Sequence, residues 1–184
     1  TKYLSKEKLE TTNDTEVLFK LLNNLGTKVI SEIEGIFSIV FYDIYNSNIY
    51  MIRDYTGTKP LYYSKHNKNL YFSSEAWFLY SLSKKKLDNE CLNFYFRYGF
   101  SPNSKTLIQN VLKVKPNTIL KYNIKSNKFS EEQIINFYEK YNNFNQSSSD
   151  LRIDLEKAIK KNLIGDRGIG VFLSGGIDST IISL

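Results

Sequence analysis

One cysteine, Cys91, and one histidine, His66, are all this 184-residue chain offers of the two side chains most used in thiol and metal chemistry. A single cysteine excludes an internal disulfide and suits a reducing compartment, so a cytoplasmic location is expected. The two residues lie far apart in sequence, and neither a zinc site nor a Cys–His dyad can be built from them. No apolar run approaches the ~20 residues of a membrane span. Residues 1–12 are polar and charged and carry no signal-peptide pattern. No membrane partner is expected. The chain also lacks clustered basic residues. Its net charge of +6 comes from scattered lysines, the densest run being Lys84-Lys85-Lys86. That run falls between two helical stretches and reads as a solvated loop. A nucleic-acid surface needs cations and aromatics gathered on one face, so no nucleic-acid partner is expected. There is no internal repeat. What remains is ordinary globular composition, 41% hydrophobic and 24% charged, sufficient for a buried core. The length suits one domain or one and a half. The abundance of Lys, Asn, Ile and Tyr reads as AT-rich coding before it reads as function.

Periodicity divides the chain. Asn13-Asp14-Thr15-Glu16 precedes Val17, Leu18, Leu21, Leu22 and Leu25 at helical spacing, with Asn13 or Asp14 as cap and Gly26 as terminator. Residues 35–45 and 49–54 alternate as two strands around the turn Asn46-Ser47-Asn48. Short strands are expected at 61–63 and 70–72, and another at 118–122. Helices are expected at 75–82 and 88–98. Residues 123–149 are rich in Asn, Lys, Ser and Gln and read as an inter-domain linker. Beyond it, Leu151, Leu155, Ile159 and Leu163 form one stripe of an amphipathic helix capped by Ser149 or Asp150.

The segment Val171-Phe172-Leu173-Ser174-Gly175-Gly176-Ile177-Asp178-Ser179-Thr180 carries the most chemistry. The apolar run 169–173 reads as a short buried strand, and 180–184 as the start of a helix. A strand, a Gly-rich turn and a helix N-terminus form an anion site, because the first helical N–H groups lack internal partners and the dipole is positive there. Gly175 and Gly176 permit φ > 0 and close approach of a phosphate. Ser174, Ser179 and Thr180 add hydroxyls. Asp178 repels a phosphate unless it holds Mg²⁺, which bridges the two. The segment is neither G-x-x-x-x-G-K-[ST] nor G-x-G-x-x-G. A parallel strand buried on both faces needs neighbours and flanking helices. The sequence after residue 150 supplies none, so the chain is expected to stop inside a domain and not to complete an ATP pocket alone.

Ser-Gly-Gly-Ile-Asp-Ser resembles the pyrophosphate loop of ATP pyrophosphatases. Three upstream stretches, Gly35-Ile36-Phe37-Ser38-Ile39-Val40-Phe41-Tyr42-Asp43, Arg53-Asp54-Tyr55-Thr56-Gly57-Thr58-Lys59-Pro60-Leu61-Tyr62-Tyr63 and Phe72-Ser73-Ser74-Glu75, resemble the glutamine amidotransferase domain of asparagine synthetases. Asn13-Asp14-Thr15-Glu16-Val17-Leu18 is similar to the family's S-D-T-E-V-L. Lys115-Pro116-Asn117 stands where the family has P-P-G. Leu173 to Thr180 is similar to its L-S-G-G-L-D-S-[ST]. The resemblance covers nearly the whole chain.

The resemblance implies an incomplete α+β class II amidotransferase domain of the N-terminal-nucleophile hydrolase type at 1–122. The linker 123–149 follows, then the start of an α/β ATP-pyrophosphatase domain at 150–184. It implies a carbon–nitrogen ligase that makes asparagine. MgATP adenylates the aspartate side chain, and ammonia from glutamine displaces AMP. The cofactors are then ATP and Mg²⁺, the partners glutamine and aspartate, and a homodimer is possible at full length. Asp14 matches the aspartate that grips the glutamine α-amino group; a plain helix cap is the competing reading. Leu173, Ser174, Gly175, Gly176, Asp178 and Ser179 match the nucleotide and pyrophosphate positions, with Asp178 as the metal ligand. Arg53-Asp54 and Lys59-Pro60 match positions that shape the domain, and a buried ion pair with a rigid loop is expected there. Glu75 matches S-E, in a structural or a tunnel role.

Departures accompany the match. The family's nucleophilic cysteine is expected upstream, so no catalytic residue is assigned in this chain. Thr1 sits too close to the first helix to take its place, and Cys91 reads as a buried apolar residue. Thr56 and Thr58 differ from the commoner R-D-R-F-G-I-K. An amidotransferase acting on a sugar acid or forming a β-lactam, or a non-catalytic truncated product, are the alternatives.

Overall fold

The computed structural model describes residues 9–11, 13–135, 148–163 and 168–183. The chain forms two compact units, Thr1–Phe137 and Tyr138–Leu184.

In the first unit, α1 (Asp14–Leu25) begins at Asn13, whose Oδ1 accepts the Thr15 N–H at 2.8 Å, and ends at Gly26 with φ 69°. A 3₁₀ segment, Gly26–Glu32, follows directly. Strands β1 (Ser38–Asp43) and β2 (Asn48–Arg53) form the expected hairpin. The next pair, β3 (Tyr62–His66) and β4 (Asn69–Ser73), turns through Asn67 at φ 55°. The helix expected at 75–82 is a 3₁₀ helix, Ala76–Ser83. Its sequence, AWFLYSLS, is apolar on every side and offers no 3.6-residue stripe to favour the wider coil. Then come α2 (Asn89–Tyr98), capped by the Asp88 carboxylate on Cys91 N–H, and β5 (Leu112–Lys113), β6 (Thr118–Asn123) and β7 (Lys128–Gln133).

The strands make two antiparallel sheets, ordered β1-β2-β6-β7 and β4-β3-β5. Side chains alternate faces along each strand, so the sheets stack in layers. Ile52 and Ile119 face α1 and the first 3₁₀ segment, joining Leu21, Leu22, Val29 and Ile30. Met51 and Leu120 face the second sheet and meet Leu61 and Val114. On that sheet's far side, Tyr62 and Tyr71 pack with Leu79, Ile108 and Val111. The result is helix, sheet, sheet, 3₁₀ helix: an α+β sandwich, as expected in outline.

The linker expectation fails at its start. Asn123 ends β6, and β7 pairs with β6 in full register within the stretch 123–149. Its composition misleads because β7 is an edge strand with every residue exposed, so polar residues suffice. Residues 136–147 lie outside the described residues.

The second unit contains α3 (Ser148–Asn162) and α4 (Ile177–Ser183). Leu155 and Ile159 of α3, with Leu163, Val171 and Ile181, line a groove of about 690 Å³. The strand expected at 169–173 does not form, and Phe172 is 99% exposed. A strand exists only by pairing, and no described residue of this unit offers a ladder.

Candidate functional site

The Arg53-Asp54 dipeptide ends β2 and controls the loop that follows. Asp54 is 1% exposed, although it carries a carboxylate. Its Oδ1 accepts from Thr56 N–H at 3.1 Å, Thr56 Oγ1 at 2.8 Å and Thr58 N–H at 3.2 Å. Its Oδ2 accepts from Phe37 N–H at 3.3 Å and Lys59 N–H at 3.4 Å. Thr56 spends its only hydroxyl proton on Asp54, so Thr58 donates across the 2.8 Å contact between the two hydroxyls. The Thr-x-Thr departure from the family pattern is thus a hydroxyl relay onto a buried carboxylate. Burial pushes the Asp54 pKa up, but the Thr56 hydroxyl and the Thr58 and Lys59 N–H groups outweigh it and leave the carboxyl below its ordinary value.

Arg53 does not pair with Asp54, contrary to expectation. No ion pair between them occurs among the described residues. Its guanidinium donates instead to three carbonyls: Nε to Lys59 at 2.8 Å, Nη1 to Val114 at 2.7 Å, and Nη2 to Gly57. The physical reason is geometric: neighbours on a strand project to opposite faces. Gly57 has φ 64°, and a Cβ there would stand 2.7 Å from Pro116 Cγ and 3.1 Å from the Arg53 guanidinium carbon. Only glycine fits.

Asn117 closes the assembly and was missed as a contributor. Its N–H donates to the Asp54 carbonyl at 2.8 Å, and its side chain exchanges two hydrogen bonds with the Ile135 backbone. Its φ is 54°, left-handed, which explains why the related pattern P-P-G has glycine there and why asparagine substitutes. The signal was in the sequence as Lys115-Pro116-Asn117, but not the partner.

Asp14 lies exposed in the first turn of α1. The competing cap reading is removed, because Asn13 is the cap. Its neighbour Glu16 is committed elsewhere: it accepts from the N–H groups of Glu10 and Thr11 and pairs with Lys20 at 2.9 Å. The Glu10 N–H, Lys20 and Thr11 contacts hold the Glu16 pKa down at about 2. Asp14 has no hydrogen-bond or ionic partner among the described residues and faces solvent at the positive end of the helix. Glu75 is exposed ahead of its 3₁₀ helix. Cys91 is fully buried, and burial, with Asp88 nearby, pushes its thiol pKa up, which suits an inert core residue.

The Gly-rich loop belongs to the other unit. Gly175 takes φ 80°, a conformation that requires glycine. The Gly176 carbonyl accepts from Thr180 N–H at 3.0 Å, Thr180 Oγ1 at 2.8 Å and Ser179 Oγ at 3.0 Å, which makes it the start of α4. Ser174 and Ser179 hydroxyls meet at 3.1 Å. The turn is therefore self-supporting. The N–H groups ahead of Thr180 precede the first helical bond and have no helical acceptor. Leu173 and Asp178 are both exposed beside it. Asp14 and this loop are not brought together within either unit.

A carboxylate with flanking hydroxyls is a hard-oxygen set that fits Mg²⁺. Among the described residues no three His, Cys, Asp or Glu side chains cluster as a metal site. Asp178 is the residue of the loop that could hold such an ion.

Comparison with known proteins bears on these features. A family model described as a glutamine amidotransferase domain matches residues 2–135, and one described as asparagine synthase matches 150–184. The glutamine-hydrolysing asparagine synthetase 1 of Bacillus subtilis is 30% identical over 94% of this chain and 28% of its own length. A protein named a probable glutamine-hydrolysing asparagine synthetase in Acanthamoeba polyphaga mimivirus is 33% identical, over 92% and 30%. The rat enzyme of that name is 29% identical, over 95% and 31%. The chain belongs to the glutamine-hydrolysing asparagine synthetase family, with a glutamine amidotransferase domain over most of its length. It spans less than a third of the length of these three relatives.

Proposed function

We propose that this chain serves glutamine-dependent asparagine synthesis. The observation that carries the reading is the succession, in one chain, of an amidotransferase match over 2–135 and an asparagine synthase match over 150–184. The layered sandwich of the first unit then corresponds to an N-terminal-nucleophile-type amidotransferase. The second unit is the opening of an ATP-pyrophosphatase domain.

A carboxylate is a poor electrophile. MgATP supplies an adenylyl group that turns one carboxylate oxygen into a leaving group, and the metal offsets phosphate charge. The chain's own residues do the rest of the work assigned here. Gly175 turns the backbone so that the N–H groups at the start of α4 face the pyrophosphate. Ser174 and Ser179 hold the turn's width and offer hydroxyls to phosphate oxygens. Asp178 would hold Mg²⁺, and Leu173 would contribute to the nucleotide site. In the first unit, Asp14 binds the glutamine ammonium group by charge. Arg53 and Asp54 act at a distance, by fixing the loop between β2 and β3. The acceptor is aspartate, and the proposed setting is a soluble cytoplasmic enzyme.

The test is an assay of the native protein from its source cells with MgATP, glutamine and aspartate. The expected result is aspartate-dependent release of pyrophosphate and AMP with formation of asparagine. Substituting Asp178→Asn should abolish pyrophosphate release and leave glutamine hydrolysis in place. Pyrophosphate release that responds to another carboxylate and not to aspartate would overturn the choice of acceptor. No nucleotide turnover at all would overturn the enzyme reading.

A further inference from the structure

Three hairpin turns meet at one end of the first unit. Asp43, Asn48, Asn123 and Lys128 form a row across the first sheet, since each is the register partner of the next. The β1–β2 and β6–β7 turns therefore lie side by side, joined by Ile124 N–H on the Ser47 carbonyl at 2.9 Å. Lys65 Nζ donates to the Asn127 carbonyl at 3.3 Å, which brings the β3–β4 turn to the same end.

The first two turns are built alike. Asp43 Oδ1 accepts from Asn46 N–H at 3.0 Å, and Asn123 Oδ1 from Ser126 N–H at 2.8 Å. Each closes with a left-handed residue, Ser47 at φ 54° and Asn127 at φ 58°. This chemistry holds both turns rigid. Both then present isoleucine at the equivalent position: Ile44 is 69% exposed and Ile124 41%. Tyr45 beside them is 92% exposed, an aromatic ring standing almost free of the protein. Exposed Lys68, Lys125 and Lys128 surround this tip, with half-buried Lys65 and Lys121 behind it. Asp43, the one acid among these turns, is tied to Asn46 through both oxygens. The lysines that look scattered in the sequence are gathered here by the register.

We propose that this pole docks on an anionic lipid surface. A convex apolar tip ringed by lysines fits the boundary between headgroups and acyl chains: Ile44, Ile124 and Tyr45 enter it, and the lysines meet the negative headgroups. The contact is peripheral and reversible and needs no spanning helix. A nucleic-acid partner fits less well, because Tyr45 offers a single stacking face and the two isoleucines beside it offer none. Each exposed lysine contributes roughly fivefold to partitioning onto an anionic membrane.

The experiment is co-sedimentation of the full 184-residue chain with vesicles of phosphatidylcholine alone, and with vesicles containing phosphatidylserine as well. Binding to the second kind only, weakening as salt rises, is the expected result. Lys68→Glu, Lys125→Glu and Lys128→Glu combined should reduce it by roughly 100-fold or more. Ile44→Ser with Tyr45→Ser should reduce it several-fold at unchanged melting temperature. Should either combined variant unfold, Lys125→Gln and Tyr45→Ser taken singly give the same two readings. Equal binding to both vesicle types, or binding to neither, would overturn the proposal. So would full binding by the Ile44/Tyr45 variant, or a single-stranded oligonucleotide that binds this pole more tightly than the vesicles and displaces them.

Discussion

Arg53 and Asp54, neighbours in sequence, grip one loop by its two kinds of backbone group and not each other. Asp54 collects the N–H groups of Thr56, Thr58 and Lys59, while Arg53 feeds the carbonyls of Gly57 and Lys59. A buried ion pair loses much of its Coulomb gain to desolvation. Here each charge is met by dipoles that would otherwise be unsatisfied, so the same two residues neutralise the loop's own polar backbone.

Replacing Asp54 by alanine removes the acceptor of several part-buried N–H groups and of the Thr56 hydroxyl. We expect a loss of about 3–4 kcal/mol, read from urea unfolding. The charge also sets a pH dependence. The folded carboxyl titrates below its unfolded value, so the native state holds fewer protons. Its contribution is complete above about pH 4 and is lost as pH falls through the folded value. Glu16, held down at about 2, adds to the same acid limb. The Asp54→Asn chain should therefore show a shallower decline in stability on acidification than the parent. An identical slope would remove Asp54 from the account.

Gly57→Ala places a methyl group against Pro116 and the Arg53 guanidinium in a left-handed conformation. Strain and overpacking together should cost about 2–3 kcal/mol. Thermal unfolding measures it. A loss below half a kcal/mol would mean that Pro116 yields freely.

Asn117 separates backbone conformation from side-chain bonding. Asn117→Gly keeps the left-handed φ and loses the two bonds to Ile135, an expected cost of about 1–2 kcal/mol. Asn117→Ala loses the same bonds and adds about 1 kcal/mol of strain. Glycine should thus be the milder of the two in denaturant melts, and the reverse order would contradict the reading.

Residues 169–173 have no ladder in which to hide their amides. Hydrogen exchange of Val171, Phe172 and Leu173 should be fast, while Met51 and Ile52 in the centre of the first sheet exchange slowly. Slow exchange at Phe172 would show that the strand pairs after all.

Local signals carried much of the fold. Asn13 and Gly26 bound α1 because capping and left-handed termination are decided within a few residues. The β1–β2 hairpin followed from alternation and a polar turn. β7 did not, because this exposed edge strand has one apolar residue, Phe129, and no alternation to betray it. The strand expected at 169–173 did not form, because an apolar run only permits pairing.

The sequence by itself determined which chemistry was available: Gly57 and Gly175 where the backbone turns left-handed, the Ser-Gly-Gly-Ile-Asp-Ser loop, the motif order that marks the family, and one inert thiol. Those properties reside in single residues and short spacings. Only the tertiary structure decided what each residue meets. It turned Arg53 and Asp54 to opposite sides of a loop, seated Asn117 under the Asp54 carbonyl, and drew lysines from two hairpins to one pole. Contacts of that kind depend on strand register and sheet stacking, which bring together residues that local sequence leaves dozens of positions apart.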